Sequence, residues 1–359
     1  MKNPLGQRLR ELPGPVLLTG HTGFKGTWMT FLLEHLDIPV VGYSLHPAKD
    51  SLFDRAEREG FIPEAFADIR DCEALEKFID LHHPSAIIHM AAQPLVLKSY
   101  ENPRETFDVN VMGSVNLFDI AFKKDFIKSI IVVTTDKVYR NDDSGRAFIE
   151  TDPLEGKDPY SASKVGTEAV VAAWQQIAKL SDGPKVVSVR AGNVIGGGDF
   201  AESRLIPDLV RSYSTGIPFK VRNPESTRPW QFVLEPLVGY LLFLEKMLSG
   251  NCEDVTLNFG PIESPIRVKQ VIKFITEMLE TIHVEPLQRI AKLDSAESKK
   301  LSLNPSRALE ALSWGPKLSQ LDSVEWTIDW WKQYFLHPEP ENVRNLCKQQ
   351  TENYYNLLY

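Results

Sequence analysis

Five short apolar runs rich in β-branched residues punctuate the first half of the chain: PVLLT (15–19), PVVGY (39–43), SAIIH (85–89), SIIVVT (129–134) and KVVSVR (185–190). Runs of this length between turn residues read as strands buried on both faces. The longer amphipathic stretches between them read as helices. A strand–helix alternation of this kind builds parallel strands, because each helix carries the chain back to the starting edge. The predicted fold class is therefore α/β, a doubly wound parallel sheet with helices on both faces. In such a sheet ligands bind beyond the carboxyl ends of the strands. The residues that follow each run are thus the first places to look for chemistry.

After Arg190 the rhythm breaks into GNVIGGGD, IPD, GIPF and RNPESTRPW. Glycine and proline at this density predict a smaller, loop-rich C-terminal substrate lobe. The expected boundaries are 1–190 for the nucleotide-binding domain, 191–338 for the lobe, partly interleaved with the sheet, and 339–359 for a tail. Helical patterns are expected near 266–281 and 322–335, with Trp326, Trp330 and Trp331 in the core. The apolar segment Pro236 to Leu248 reads as a packed helix, too short and too charged to span a membrane. The tail is either a packing helix or an oligomer helix.

With 359 residues and 43% hydrophobic content the chain can bury a large core unaided. Its net charge of −8 argues against a nucleic-acid surface, so any phosphate site must be local. Cys72, Cys252 and Cys347 are far apart and form no CxxC pair, which leaves neither a disulfide framework nor a metal site in view. The start MKNPLGQRLRELPG leads into an apolar VLL that Thr19-Gly20 cuts short, too brief for a secretion signal. A cytoplasmic protein is expected.

Directly after the first strand stands GHTGFKG, with Gly20, Gly23 and Gly26 at three-residue spacing opening a helix near Phe24. Glycines there let the backbone turn sharply and let a pyrophosphate approach the helix N-terminus. This is a Rossmann dinucleotide turn, not a Walker loop, since no Gly-Lys-Ser/Thr follows at the needed spacing. Thr22 and Phe24 belong to the same turn. The acid that usually bonds the adenosine ribose after the second strand is missing, because that position holds Ser44, Leu45 and His46. Asp68 and Ile69 are candidates for the adenine edge, with a helix N-cap region as the other reading of Asp68.

The run TTDK, Thr134 to Lys137, places a hydroxyl, a carboxylate and an amine in a row at the end of the fourth apolar run. Farther on, DPYSASK sets Tyr160 and Lys164 four apart, on one face of a helix. A phenol, with an ordinary pKa of about 10, is a poor base at neutral pH, and a nearby ammonium favours its ionised form. Bringing the phenol close to neutrality is worth about 3 to 4 kcal/mol.

GHTGFKG, MAAQPLV (Met90 to Val96), VNVMGS (Val109 to Ser114), TTDK, YSASK and RAGNVIGGGD (Arg190 to Asp199) follow the order of motifs in the extended short-chain dehydrogenase/reductase family, which the chain resembles from about residue 14 to 335. Together with STRPWQFVLEPL they are most similar to the branch of sugar-nucleotide 4,6-dehydratases that act on CDP-glucose. The resemblance implies a bound NAD held by Gly20, Thr22, Gly23, Phe24, Gly26, Asp68, Ile69, Ala91, Ala92, Gln93, Tyr160 and Lys164. It implies Thr135, Asp136, Lys137, Tyr160 and Lys164 as the catalytic set, and a homodimer or homotetramer serving deoxysugar biosynthesis, as in lipopolysaccharide.

In the reaction so implied, Tyr160 takes the proton of the sugar 4-hydroxyl, Thr135 holds that oxygen, and Lys164 supports the phenolate. Asp136, protonated, gives a proton to the departing 6-hydroxyl. Lys137 either removes the proton on carbon 5, at about 4 kcal/mol for its neutral form, or stays cationic and steadies the enolate. Asn193, Arg204 and Arg228 are the expected sugar-nucleotide contacts, the arginines because a guanidinium bonds diphosphate oxygens bidentately. Pro229 and Trp230 are candidates to pack the base. Asn110 is expected to hold a helix in shape, and His89 to be a satisfied strand residue. Three other readings remain: a dehydratase of a GDP- or UDP-linked amino sugar, a nucleotide-sugar 4-epimerase, and a non-catalytic dinucleotide-binding regulator.

Overall fold

The computed structural model describes residues 5–221, 223–253, 255–279 and 300–359, with the backbone of 284–286. Six strands come first in the chain: β1 (Val16–Thr19), β2 (Val40–Ser44), β3 (Glu64–Phe66), β4 (Ala86–His89), β5 (Ser129–Val133) and β6 (Lys185–Ala191). With the later strand Thr256–Phe259 beside β6 they form one seven-stranded sheet in the order β3-β2-β1-β4-β5-β6 and then Thr256–Phe259. Every pairing is parallel. The order reverses between β1 and β4, so a crevice opens at the carboxyl ends of those two strands.

The apolar runs form strands because both faces of each can be buried. On β5, Ile131 and Val133 join the core beneath helices Phe24–His35 and Leu234–Leu248. Ile130 and Val132 join the other core, under helices Cys72–His82, Gly113–Ala121 and Pro159–Ser181. Each aliphatic side chain removed from water in this way contributes roughly 1.5–3 kcal/mol.

Two strands of the seven-stranded sheet lie outside the five apolar runs. The three residues of β3 are only half-buried and lack a β-branched residue, and Thr256–Phe259 carries a buried Asn258. The expected helices are found at Val268–Leu279 and Gln320–Leu336; the expected extension of the first to 281 lies outside the described residues. Trp330 and Trp331 are buried and Trp326 packs against the same core.

The tail is a packing helix, Pro340–Asn356. It buries Val343 and Cys347 and donates the Tyr354 hydroxyl to Glu235 Oε2 at 2.6 Å. No helix among the described residues is long and apolar enough to cross a membrane.

Candidate active site

The turn after β1 brings Gly20 into the left-handed region, φ 75°. Helix Phe24–His35 starts so close to this turn that a Cβ on Gly26 would stand 2.1 Å from the Gly20 carbonyl oxygen. A Cβ on Gly20 would meet the Ala91 amide nitrogen at 2.7 Å, which places Ala91 against the turn from β4. No side chain caps the helix at Gly23, so its first amides are left for an anion. These features fit a dinucleotide diphosphate. Thr22 hydrogen-bonds Ser44 Oγ at 2.8 Å and the Leu45 carbonyl at 3.0 Å, tying the turn to the end of β2. Phe24 lies next to Gly196.

Asp68 is partly exposed just beyond β3, and its carboxylate is held by Arg70 at 2.6 Å, which keeps it below the usual carboxylate range. The helix N-cap is Asp71 instead, whose side chain accepts from Ala74 N. Ile69 is buried against Gly113. Ala91 and Ala92 follow β4, half-buried.

Gln93 is tied to its surroundings through its side chain. Its amide nitrogen donates to the Leu95 carbonyl and to Thr106 Oγ1, and its oxygen accepts from Leu95 N at 2.7 Å. With every polar atom engaged by its own loop, the side chain shapes the loop. Asn110 braces that loop: it accepts from Gln93 N at 2.8 Å and donates to Ser163 Oγ at 2.8 Å, next to Lys164. His89 lies between Thr19 Oγ1 at 2.7 Å and Ser114 Oγ at 3.1 Å, and burial, then the Lys164 charge, push it down to about 3.

Helix Pro159–Ser181 begins with Asp158, which accepts from Ser161 N, and with a proline in its first turn. That start sets Tyr160 and Lys164 one turn apart at the crevice, both buried. Burial pushes the Tyr160 phenol up to about 12, opposed by the Thr135 side chain and reinforced by the Asp136 charge. The Lys164 ammonium donates to the Val133 carbonyl, 3.1 Å away. Burial brings Lys164 itself down to about 8, with Glu168 pulling upward.

Asp136 is fully buried. Its Oδ1 accepts from the Thr135 hydroxyl at 3.1 Å and from Lys137 Nζ at 3.4 Å, while Oδ2 has no partner among the described residues. Lys137 is 35% exposed. The second lobe closes over this acid: a Cβ on Gly192 would stand 3.1 Å from Asp136 Oδ2 and 3.0 Å from Pro229 Cγ.

Asn193 comes next in the chain and pairs with Trp230 in a short parallel ladder. Arg204 bonds Asp199 at 2.8 Å, and its charge acts on Lys25 and couples to Tyr160. Arg228 donates to the Thr227 carbonyl from a strand paired with Ile266–Arg267. Trp230 is buried in the core. Among the described residues no cluster of His, Cys, Asp or Glu is placed to hold a metal ion.

Lys25 is a site residue that the motif did not single out. Burial, then the charges of Lys164 and Arg204, push its amine down to about 7, while Asp136 pulls it up. The available signal was a lysine between two glycines of an anion-binding turn.

Residues 16–258 match the model of the NAD dependent epimerase/dehydratase family. The chain is 36% identical over 328 residues to the CDP-glucose 4,6-dehydratase of Salmonella typhimurium, covering 89% of this chain and 90% of that protein. Among solved structures, the UDP-glucose 4-epimerase of Thermotoga maritima has the same fold, with a TM-score of 0.76 at 22% identity over 89% of this chain and 99% of that one. So does the dTDP-glucose 4,6-dehydratase of Streptomyces venezuelae, solved with NAD and TYD bound, with a TM-score of 0.74 at 22% identity over 89% of this chain and 97% of that one. This chain belongs to the NAD-dependent epimerase/dehydratase family, in agreement with the extended short-chain dehydrogenase/reductase order of its motifs.

Proposed function

We propose that this protein is an NAD-dependent sugar-nucleotide 4,6-dehydratase that converts CDP-glucose to CDP-4-keto-6-deoxyglucose. The observation that carries the reading is the pair Asp136 and Lys137, an acid and an amine 3.4 Å apart, in the turn that also supplies Thr135 to Tyr160. An epimerase has no use for that extra acid and base. The likeness to a CDP-glucose 4,6-dehydratase along 89% of the chain supports the choice of sugar nucleotide.

A bound dinucleotide would be held on the turn of Gly20, Gly23 and Gly26, where it would supply the hydride acceptor and donor that the reaction needs. Tyr160 removes the proton of the sugar 4-hydroxyl while Thr135 steadies that oxygen. Lys164, pinned to Val133, sets a positive charge one helical turn from the phenol. The ketone so formed acidifies carbon 5. Lys137 takes that proton, or holds the enolate charge as a cation, and protonated Asp136 donates to the 6-hydroxyl as it leaves as water. With the hydride delivered to carbon 6 and a proton returned to carbon 5, the sugar would have lost one water with no net redox change. Asn193, Arg204 and Arg228 are assigned to the sugar nucleotide, and Arg204 has the support of its position beside Tyr160. A homodimer or homotetramer, a cytoplasmic setting and a product used in deoxysugar biosynthesis complete the reading.

Incubation with CDP-glucose and NAD, followed by mass analysis, tests it. A product lighter by one water and carrying a ketone is expected. A 4-epimer would make the protein an epimerase, turnover of only a GDP- or UDP-linked amino sugar would reassign the substrate, and cofactor binding without any turnover would point to a regulator.

A further inference from the structure

Glu168 and Arg190 form a buried ion pair below the crevice, joined by two bonds of 2.8 and 2.9 Å. Burial opposes ionisation of Glu168, but Arg190 and the hydroxyls of Thr134 and Ser188 more than offset it, so its carboxyl lies below the usual range. Such a pair is a poor device for stability alone, because desolvation cancels most of its attraction and well-packed apolar residues do as well. Its contacts indicate another use. Glu168 Oε1 accepts from the Thr134 hydroxyl at 2.5 Å, and Arg190 Nη1 donates to the Tyr139 hydroxyl at 2.8 Å. Thr134 and Tyr139 are the residues on either side of the turn that holds Thr135, Asp136 and Lys137.

Tyr139 is anchored further. It donates to Asn258 Oδ1 at 2.7 Å and stacks on Phe148 with ring centroids 5.0 Å apart. Asn258 donates through its own amide to Glu150 at 2.9 Å, and through Nδ2 to the Phe148 carbonyl at 3.0 Å. One residue before Thr134, the Val133 carbonyl accepts from Lys164, which lies one helical turn from Glu168. The reactive turn is therefore gripped at both ends by the two halves of one ion pair.

We propose that Glu168 and Arg190 are positioning residues for the loss of water: through Thr134 and Tyr139 they hold Asp136 and Lys137 in register with the sugar ring. The inference rests on the dehydratase reading above. A site loosened by about 1 Å loses on the order of 10- to 100-fold in rate.

The test uses Tyr139→Phe and Thr134→Val in the full-length holoenzyme, each of which deletes one hydroxyl and leaves the ion pair itself in place. Tyr240→Phe is the comparator, since its buried hydroxyl has no partner among the described residues. The expected result for both variants is a fall in kcat for water loss of about 10- to 100-fold with KM for CDP-glucose unchanged. Reduced nicotinamide and the 4-keto hexose accumulate during turnover, and amides 135–139 exchange hydrogen faster even without substrate. Variants that match Tyr240→Phe in rate and exchange overturn the proposal. So does an equal loss in the first oxidation and in water loss, which would make the pair a general prop. If the wild-type protein removes water from no nucleoside diphosphate hexose, the dehydratase reading falls first; normal wild-type turnover with unaffected variants sinks this inference alone.

Discussion

Lys164 donates to the carbonyl oxygen of Val133, 3.1 Å away, and so binds the helix that carries Tyr160 to the end of β5. Burial meanwhile holds the Tyr160 phenol up at about 12. That burial therefore favours the protonated phenol at neutral pH. Tyr160→Phe is predicted to slow the first oxidation by on the order of 10²–10⁴-fold, the usual worth of a positioned general base. Stopped-flow absorbance of reduced nicotinamide with CDP-glucose measures that step; near-normal formation would remove Tyr160 from the role.

On the proposed mechanism Asp136 and Lys137 serve only the second half of the reaction. Asp136→Asn and Lys137→Ala are expected to retain oxidation at carbon 4 while water loss falls by on the order of 10²–10⁴-fold. Single-turnover mass analysis separates the 4-keto hexose from the dehydrated product. Equal loss of both would mean that these side chains only position the sugar.

Gly26→Ala places a methyl group where the Gly20 carbonyl oxygen lies 2.1 Å away. The turn must open, at a cost of about 1–3 kcal/mol. Weaker NAD binding by about tenfold or more is expected, since each 1.4 kcal/mol is a factor of ten, with the circular dichroism spectrum retained. Calorimetric titration with NAD checks this, and unchanged affinity would show that the turn is not the diphosphate seat.

Glu235 makes a prediction about pH. Its carboxyl accepts from the Lys317 and Leu318 amides, each at 2.8 Å, and from Tyr354, yet burial raises it from 4.5 to about 7. In the folded protein it binds a proton that the unfolded chain has released, so its stabilisation is complete below about 4.5 and is lost as pH rises through about 7. The change amounts to ~3 kcal/mol. Denaturant unfolding from pH 4.5 to pH 8 should show this decline in the wild type, and Glu235→Gln should flatten it. A parallel decline in the variant would exonerate Glu235.

Much of this fold was legible because its strands are apolar on both faces. Ile130, Ile131, Val132 and Val133 are a strand signal whichever way they point. The strand Glu64–Phe66 carries no such signal, and Thr256–Phe259 includes Asn258, whose side chain is satisfied only by Tyr139 and Phe148, remote in sequence. The same distinction separates the site residues. Gly20, Tyr160 and Lys164 were readable because local spacing places them on a turn or on one helix face. The ties of the Gln93 side chain to its own loop are not visible in local spacing. Lys25, Glu168 and Tyr139 take their character from neighbours that only the tertiary structure supplies.

The most direct measurement is the fate of the hydrogen on carbon 4. With CDP-glucose carrying deuterium there, the account predicts a 4-keto-6-deoxy product with that deuterium on carbon 6, delivered within the same molecule. Recovery of the label at carbon 4 of an epimer, or its loss to solvent with a fully protonated carbon 6, would contradict it.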